Sequence, residues 1–179
     1  LHMTVEQFLT WDDGTDTRYE LEQGMPVAIA PAASVHARIA QNVGSEIDRL
    51  VEKRPPCRAM QAGGVLISRS DATFYVPDVL MTCEELASTP YVHEPRLIVE
   101  ILSPSTKGVD QKRKVPAHGR LPSVEEIWLV ASDERWMVVW KRIAESWVAE
   151  LPYEGEAVFH SPALDGDVAL DRIYRLTGL

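Results

Sequence analysis

Three residues near the middle of the chain have the types and spacing that phosphodiester chemistry needs. Asp78 follows a proline in Val76-Pro77-Asp78-Val79 and opens the apolar run Val79-Leu80-Met81. Glu100 interrupts a second run, Leu97-Ile98-Val99 before it and Ile101-Leu102 after it. A carboxylate inside such a run is expensive to bury unless it is paired or holds a metal. Lys114 closes the stretch Asp110-Gln111-Lys112-Arg113-Lys114. Two strand-borne carboxylates and a lysine on a following helix are the parts that hold a divalent cation against a phosphodiester.

The elements that must position these groups follow from periodicity. Around Glu100 the residues alternate as in a strand, with Leu97, Val99 and Ile101 on one face and Ile98, Glu100 and Leu102 on the other. Ser103-Pro104-Ser105-Thr106 ends that strand and starts a helix expected over 107–120. Asp110 and Lys114 then lie one turn apart on one face. Pro116 either ends this helix near Val115 or bends it. The strongest helical pattern covers 34–53, where Ile39, Val43, Ile47, Leu50 and Val51 form one stripe. Pro55-Pro56 closes it.

Upstream, Thr4 to Trp11 reads as a short helix with a Thr4/Gln7 capping box. Residues 18–21 and 25–30 read as a hairpin turned at Gln23-Gly24. Stretches 57–68 and 72–83 read as two strands around Arg69-Ser70-Asp71, with a bulge expected at Gly63-Gly64. Strands over 127–131, 136–142 and 147–151 then form a meander, and 171–176 a terminal helical turn. Trp136, Val138 and Trp140 share one face of their strand and Met137 and Val139 the other. That strand is therefore central or covered by a second copy of the chain, which predicts a homodimer.

With 179 residues, 45% of them hydrophobic and 25% charged, the chain fits one domain with a full core over 3–179. Leu1-His2 ahead of Met3 read as a cloning remnant. No apolar run approaches the roughly 20 residues of a membrane span, and no signal peptide is evident. The two cysteines, Cys57 and Cys83, lack metal spacing and read as buried free thiols, which fits a cytoplasmic location. A net charge of −9 argues against a broad nucleic-acid footprint and leaves room for a local basic patch. Lys107, Lys112, Arg113, Lys114 and Arg120 would supply one, and Arg49, Lys53, Arg54 and Arg58 another. Ser103 and Ser105 lack the Gly-x-Ser-x-Gly elbow of a serine hydrolase. His36, His93, His118 and His160 show no metal-ligand spacing.

The ordered blocks resemble the Uma2 (DUF820) endonucleases of the PD-(D/E)xK nuclease superfamily. They are Pro77-Asp78, Glu100-Ile101-Leu102, and Ser103-Pro104-Ser105-Thr106 with Asp110 and Lys114. The likeness begins at Met3 to Leu9, takes in Arg18 to Leu21 with Gly24, then Ser34-Val35-His36, and ends beyond Leu121 to Glu126. It implies a restriction endonuclease-like α/β (α+β) fold, a mixed sheet flanked by helices with an N-terminal hairpin and a C-terminal β-meander. It also implies DNA as partner and Mg²⁺ or Mn²⁺ as cofactor.

By this resemblance Asp78 and Glu100 are metal ligands, helped by the main-chain carbonyl of Ile101. Glu20, by itself readable as an edge-strand carboxylate, becomes a ligand or water-positioning group. The superfamily's usual lysine place is Leu102 here, so the lysine comes from the next helix as Lys114, with Lys112 as an understudy. His36 and Asp110 join Lys112 as pocket candidates. The chain departs from the resemblance at His118, where tyrosine is common, and at Pro116. Carboxylates gathered for a cation repel one another without it, so neutralising Asp78 and Glu100 is expected to stabilise the metal-free chain. The rival expectation, favoured by the charge of −9, is a catalytically silent nuclease fold that binds a metal, a nucleic acid or a protein.

Overall fold

The computed structural model of the chain describes residues 1–104 and 107–179. Its elements run α1 (Val5–Leu9), β1 (Tyr19–Glu22), β2 (Met25–Ala28), α2 (Ser34–Val51), β3 (Arg58–Gln61), β4 (Val65–Ser68) and β5 (Thr73–Tyr75). They continue with β6 (Val79–Thr82), β7 (Pro95–Leu102), α3 (Lys107–Gly119), β8 (Glu126–Ala131), β9 (Trp136–Ile143) and β10 (Ser146–Ala149). The chain ends with β11 (Tyr153–Glu154), β12 (Val158–Ser161), β13 (Gly166–Ala169) and α4 (Leu170–Ile173).

The main sheet has the order β10-β9-β8-β7-β6-β3, with β11 paired to β9. Its neighbours are antiparallel except β7 and β8, which run parallel with Leu97 opposite Glu126 and Leu102 opposite Ala131. Parallel neighbours need a crossover, and α3 is that crossover. It therefore starts just beyond the strand that carries Glu100. The helix-starting role expected of Ser105 and Thr106 lies outside the described residues.

Strand β7 alternates as its sequence predicts. Leu97, Val99 and Ile101 join the α2 stripe of Ile39, Val43 and Ile47 in one cluster. Ile98 and Leu102 join Val115 of α3 with Val65 and Tyr75 in another. The sheet is thus sandwiched between α2 and α3, and Glu100 faces the α3 side with Ile98 and Leu102.

A second sheet, β2-β1-β5-β4, packs Leu21 and Phe74 against Met3 and Val5 of the N-terminal segment. The Thr4/Gln7 capping box forms there as expected. The β1–β2 turn has Gln23 at φ 47° and Gly24 at φ 81°, the left-handed pair of a two-residue hairpin. With Leu21 facing α1, strand alternation turns Glu20 and Glu22 the other way, toward α3.

Two expectations need correction, and two alternatives left open by the sequence are decided. The stretches 57–68 and 72–83 each break into two strands in different sheets. Gly63-Gly64 is the crossing point rather than a bulge: a Cβ on Gly64 would meet the Phe74 ring at 2.3 Å and the Pro90 carbonyl at 3.2 Å. Pro77-Asp78 is the matching crossing back from β5 to β6. Cys57 and Cys83 are not free thiols but a disulfide. The β3–β6 register, Arg58 opposite Thr82, places the two side by side, and the thiol argument for a reducing compartment falls with it.

Third, α3 does not end at Val115 but carries Pro116 inside it and runs to Gly119. The turn after it is held by Arg142, which donates to the Gly119, Leu121 and Val124 carbonyls, and by the Trp147 indole, which donates to Gly119. These donors satisfy the last carbonyl of the helix and two carbonyls of the turn beyond it.

Fourth, β9 is covered on both faces by the chain itself. Met137 and Val139 are in the α2-side cluster, and Trp136 and Trp140 pack on the α3-side one. Its two-faced character needs no second copy. Among the described residues no helix is long and apolar enough to cross a membrane.

Candidate active site

The site forms where the two sheets meet, and four elements deliver it. Glu20 comes from the middle of β1, Asp78 from the crossing before β6, Glu100 from β7, and Lys114 from the second turn of α3. The Lys114 ammonium sits between two carboxylates, 3.1 Å from Glu20 Oε1 and 3.3 Å from Glu100 Oε2. Helical side chains lean toward the N-terminus, so a lysine this far along α3 reaches back to the strand before it. Arg113 beside it pairs with Glu22, which docks α3 on β1 through two successive ion pairs. Val76 N–H donates to Glu20 Oε1 at 2.8 Å and fixes that carboxylate further.

Asp78 lies next to this group and is bound differently. Its Oδ2 accepts the Ile101 N–H at 2.7 Å, and its Oδ1 lies 3.3 Å from His36 Nε2 in the first turn of α2. The neighbouring Ile101 main chain adds to the upward push that Asp78 exerts on the His36 pKa. His36, Asp78 and the Ile101 backbone therefore form one side of the site, and Glu20, Lys114 and Glu100 the other.

Charge ties the two halves together. For Glu100, burial pushes the carboxyl up, but the Lys114 ammonium and the His118 hydrogen bond outweigh it and hold the pKa below the ordinary glutamate value. For Glu20, burial dominates over the attraction of Lys114, and the neighbouring Glu100 charge adds to it, so its pKa is raised. One lysine between two carboxylates thus leaves Glu100 as the charged partner and Glu20 as the first to take a proton. His36 is raised by its bond to Asp78 against the opposing effect of burial, with Glu100 contributing.

The expected repulsion among these acids is accordingly relieved by the protein's own cations. A cleft of about 90 Å³ opens beside them, lined by Glu20, Glu22, Val27, Tyr75, Arg113 and Lys114.

Of the residues marked out in the sequence, Glu20, Glu100 and Lys114 are brought into contact, and Asp78, His36 and Ile101 into a second contact beside them. Lys112 is exposed and is not part of this group. The Asp110 side chain lies outside the described residues. Sequence reading missed His118, which is fully buried with Nε2 2.8 Å from Glu100 Oε1. The signal was its place four residues after Lys114, on the same helical face. It was hidden by the expectation that Pro116 stops or bends the helix.

The chain is similar to known proteins over nearly its whole length. Residues 5–172 match the Uma2 family, described as "Putative restriction endonuclease". The chain belongs to the Uma2 family.

Among solved structures, a protein of Anabaena variabilis ATCC 29413, described as a putative nuclease belonging to DUF820, superposes with a TM-score of 0.80. The match covers 98% of this chain and 99% of that one at 17% identity. The fold is the restriction endonuclease-like α+β fold, with its mixed sheet, N-terminal hairpin and C-terminal meander. Two proteins of Synechocystis sp. (strain ATCC 27184 / PCC 6803 / Kazusa) are also similar. Uncharacterized protein slr1290 is 23% identical, over 97% of this chain and 92% of that protein. Uncharacterized protein sll1609 is 27% identical, over 72% of this chain and 74% of that protein.

Proposed function

We propose that this Uma2 protein is an endonuclease that hydrolyses DNA phosphodiester bonds with Mg²⁺ or Mn²⁺ held by Asp78 and Glu100. The observation that carries the reading is the Lys114 ammonium reaching from α3 to Glu20 and Glu100 at 3.1 and 3.3 Å. This places the lysine beside the carboxylates although the strand position two beyond Glu100 is Leu102.

The donor set suits such a cation. Among the described residues no three His, Cys, Asp or Glu side chains are gathered closely enough to hold a metal ion as they stand. Mg²⁺ does not require that, since it keeps several waters and is usually bound through one or two carboxylates. Asp78, Glu100 and the Ile101 carbonyl are hard oxygen donors, and Glu20 stands by as a further ligand or as the group that orients water. When bound, the cation lowers the pKa of water and offsets charge on the phosphate.

Lys114 has two tasks open to it at this position: orienting the attacking water, or stabilising the negative charge that develops on the phosphate. His36 holds Asp78, and Arg113 on the rim of the cleft offers a charge to the incoming backbone.

Nicking of supercoiled plasmid DNA in Mn²⁺ tests the reading. Wild type should cut, and Lys114→Ala should lose cleavage by on the order of 100-fold or more. Lys112→Ala should cut like wild type unless Lys112 touches DNA. An active Lys114→Ala beside an inactive Lys112→Ala would reverse the two lysines. A wild type inactive with every divalent cation tried would favour the silent binding module that the charge of −9 suggests.

A further inference from the structure

Because α3 passes through Pro116, it brings two side chains rather than one to Glu100. Lys114 takes Oε2 at 3.3 Å, and His118, one turn further, takes Oε1 at 2.8 Å. His118 is 0% exposed, and its ring stands edge-on to Tyr75 at 5.7 Å between centroids. Its other nitrogen, Nδ1, is buried with no hydrogen-bond partner.

That orphan fixes the state of the ring. An ionised carboxylate only accepts hydrogen bonds, so the nitrogen facing Glu100 is the one carrying the proton. A neutral ring protonated at Nε2 leaves only a lone pair unpaired at Nδ1, whereas the opposite tautomer or the imidazolium would bury an unpaired N–H at greater cost. A residue that only filled space here would bring no such orphan. The histidine leaves one polar atom unsatisfied in order to make one bond.

We propose that His118 is a positioning residue, whose Nε2–H holds Oε1 of Glu100 and leaves Oε2 as the oxygen presented to the cation. This rests on the metal-dependent reading above and deepens it. Glu100 would then offer the cation one oxygen, and the two residues of α3 would act in opposite senses. His118 fixes the orientation of the ligand through its bond to Oε1. Lys114 lies against the same Oε2 and would compete with a cation for it. Partners that orient a metal ligand from behind commonly change affinity by about 10–100-fold.

Titration calorimetry of the full chain with Mn²⁺ separates these roles. His118→Met keeps the volume without a donor and should weaken Mn²⁺ binding by about 10-fold or more. His118→Gln, which restores an N–H, should recover most of the loss. Lys114→Ala should bind Mn²⁺ at least as tightly as wild type. Equal binding by His118→Met and wild type overturns the inference, and so does a His118→Gln no better than His118→Met.

If either variant fails to fold, nitrogen-edited NMR of the wild type decides. The proton should reside on Nε2, and added Mg²⁺ should shift the His118 signals. A proton on Nδ1, or His118 signals unmoved at a Mg²⁺ concentration that raises the melting temperature, overturns it. A wild type that binds neither Mn²⁺ nor Mg²⁺ fails at the earlier step, and the metal-dependent reading falls with this one.

Discussion

Two buried glutamates on neighbouring strands of the main sheet have opposite fates. Glu100 of β7 is 5% exposed and Glu126 of β8 is 1% exposed, and the two strands pair in parallel. They face opposite sides of the sheet. Glu100 meets Lys114 and His118, and its pKa is lowered despite burial. Glu126 meets neutral donors: the Ala163 N–H at 3.0 Å, the Trp128 indole at 2.8 Å and the Ser161 hydroxyl at 3.0 Å. There burial outweighs three hydrogen bonds and the pKa is raised. Burial of a carboxylate is therefore no sign of a site by itself. What distinguishes Glu100 is a pair of nitrogen groups from a single helix, beside an open cleft. Glu126 is a tie, pinning the segment that leaves β12 to the first residue of β8.

The largest test of this difference is cleavage. Glu100→Ala should reduce plasmid nicking by on the order of 1,000-fold, while Glu126→Ala, assayed where it remains folded, should stay within about threefold of wild type. Comparable losses in both would make Glu100 another structural tie. Stability should show the reverse order of importance. Glu126→Ala strands three buried donors, at a cost of about 3 kcal/mol in urea unfolding. A Glu126→Ala protein as stable as wild type would remove Glu126 from the role of a tie.

How much of this was legible in the sequence differs between the two glutamates for a physical reason. Glu100 breaks an apolar run, so the cost of burying it is visible locally. Glu126 opens its strand just after Glu125, in a polar setting that resembles a solvated edge. Its burial depends on Ser161 and Ala163, 35 and 37 residues away. The hairpin formed by β12 and β13 escaped notice because strand β12 buries only Phe159 and Ser161, and Ser161 is buried because of Glu126.

Local periodicity revealed β7, α2 and the meander, since each is buried in a repeating pattern. The two broken strands were not legible, because β3 pairs with β6 across the intervening β4 and β5. That long-range pairing also sets Cys57 against Cys83. At the site, Asp78 and Glu100 were readable by type and Lys114 through the family resemblance, while His118 depended on whether a helix survives a proline.

A middle-sized effect concerns the cations that occupy the site without metal. Since Lys114 bridges Glu20 and Glu100, the uncharged Asp78→Asn/Glu100→Gln double variant should not gain heat stability in chelator. Mn²⁺ should raise the melting temperature of wild type and leave that of the double variant unmoved. An equal rise in both proteins would place the cation away from Asp78 and Glu100.

The smallest and most discriminating effect is in the pH dependence of stability, where the two glutamates should give slopes of opposite sign. The folded pKa of Glu100 lies below its ordinary value of 4.5, so its charge favours folding. That contribution is complete above 4.5 and is lost as pH falls below 4.5 through the lowered folded value. The folded pKa of Glu126 lies above 4.5, so ionisation opposes folding. Its contribution is complete below 4.5 and is lost as pH rises from 4.5 through the raised folded value.

Urea unfolding from pH 3 to 7, comparing wild type with Glu100→Gln and separately with Glu126→Gln, reads the two slopes. The advantage of wild type over Glu100→Gln should grow toward 4.5 and then level. Its advantage over Glu126→Gln, whatever its absolute size, should shrink as pH rises above 4.5. Constant offsets from altered packing or hydrogen bonding cancel from these slopes. Slopes of the same sign would mean that the Lys114 ammonium and the His118 hydrogen bond do not hold the charge of Glu100 in solution, and the contrast between the two carboxylates would fail at its electrostatic root.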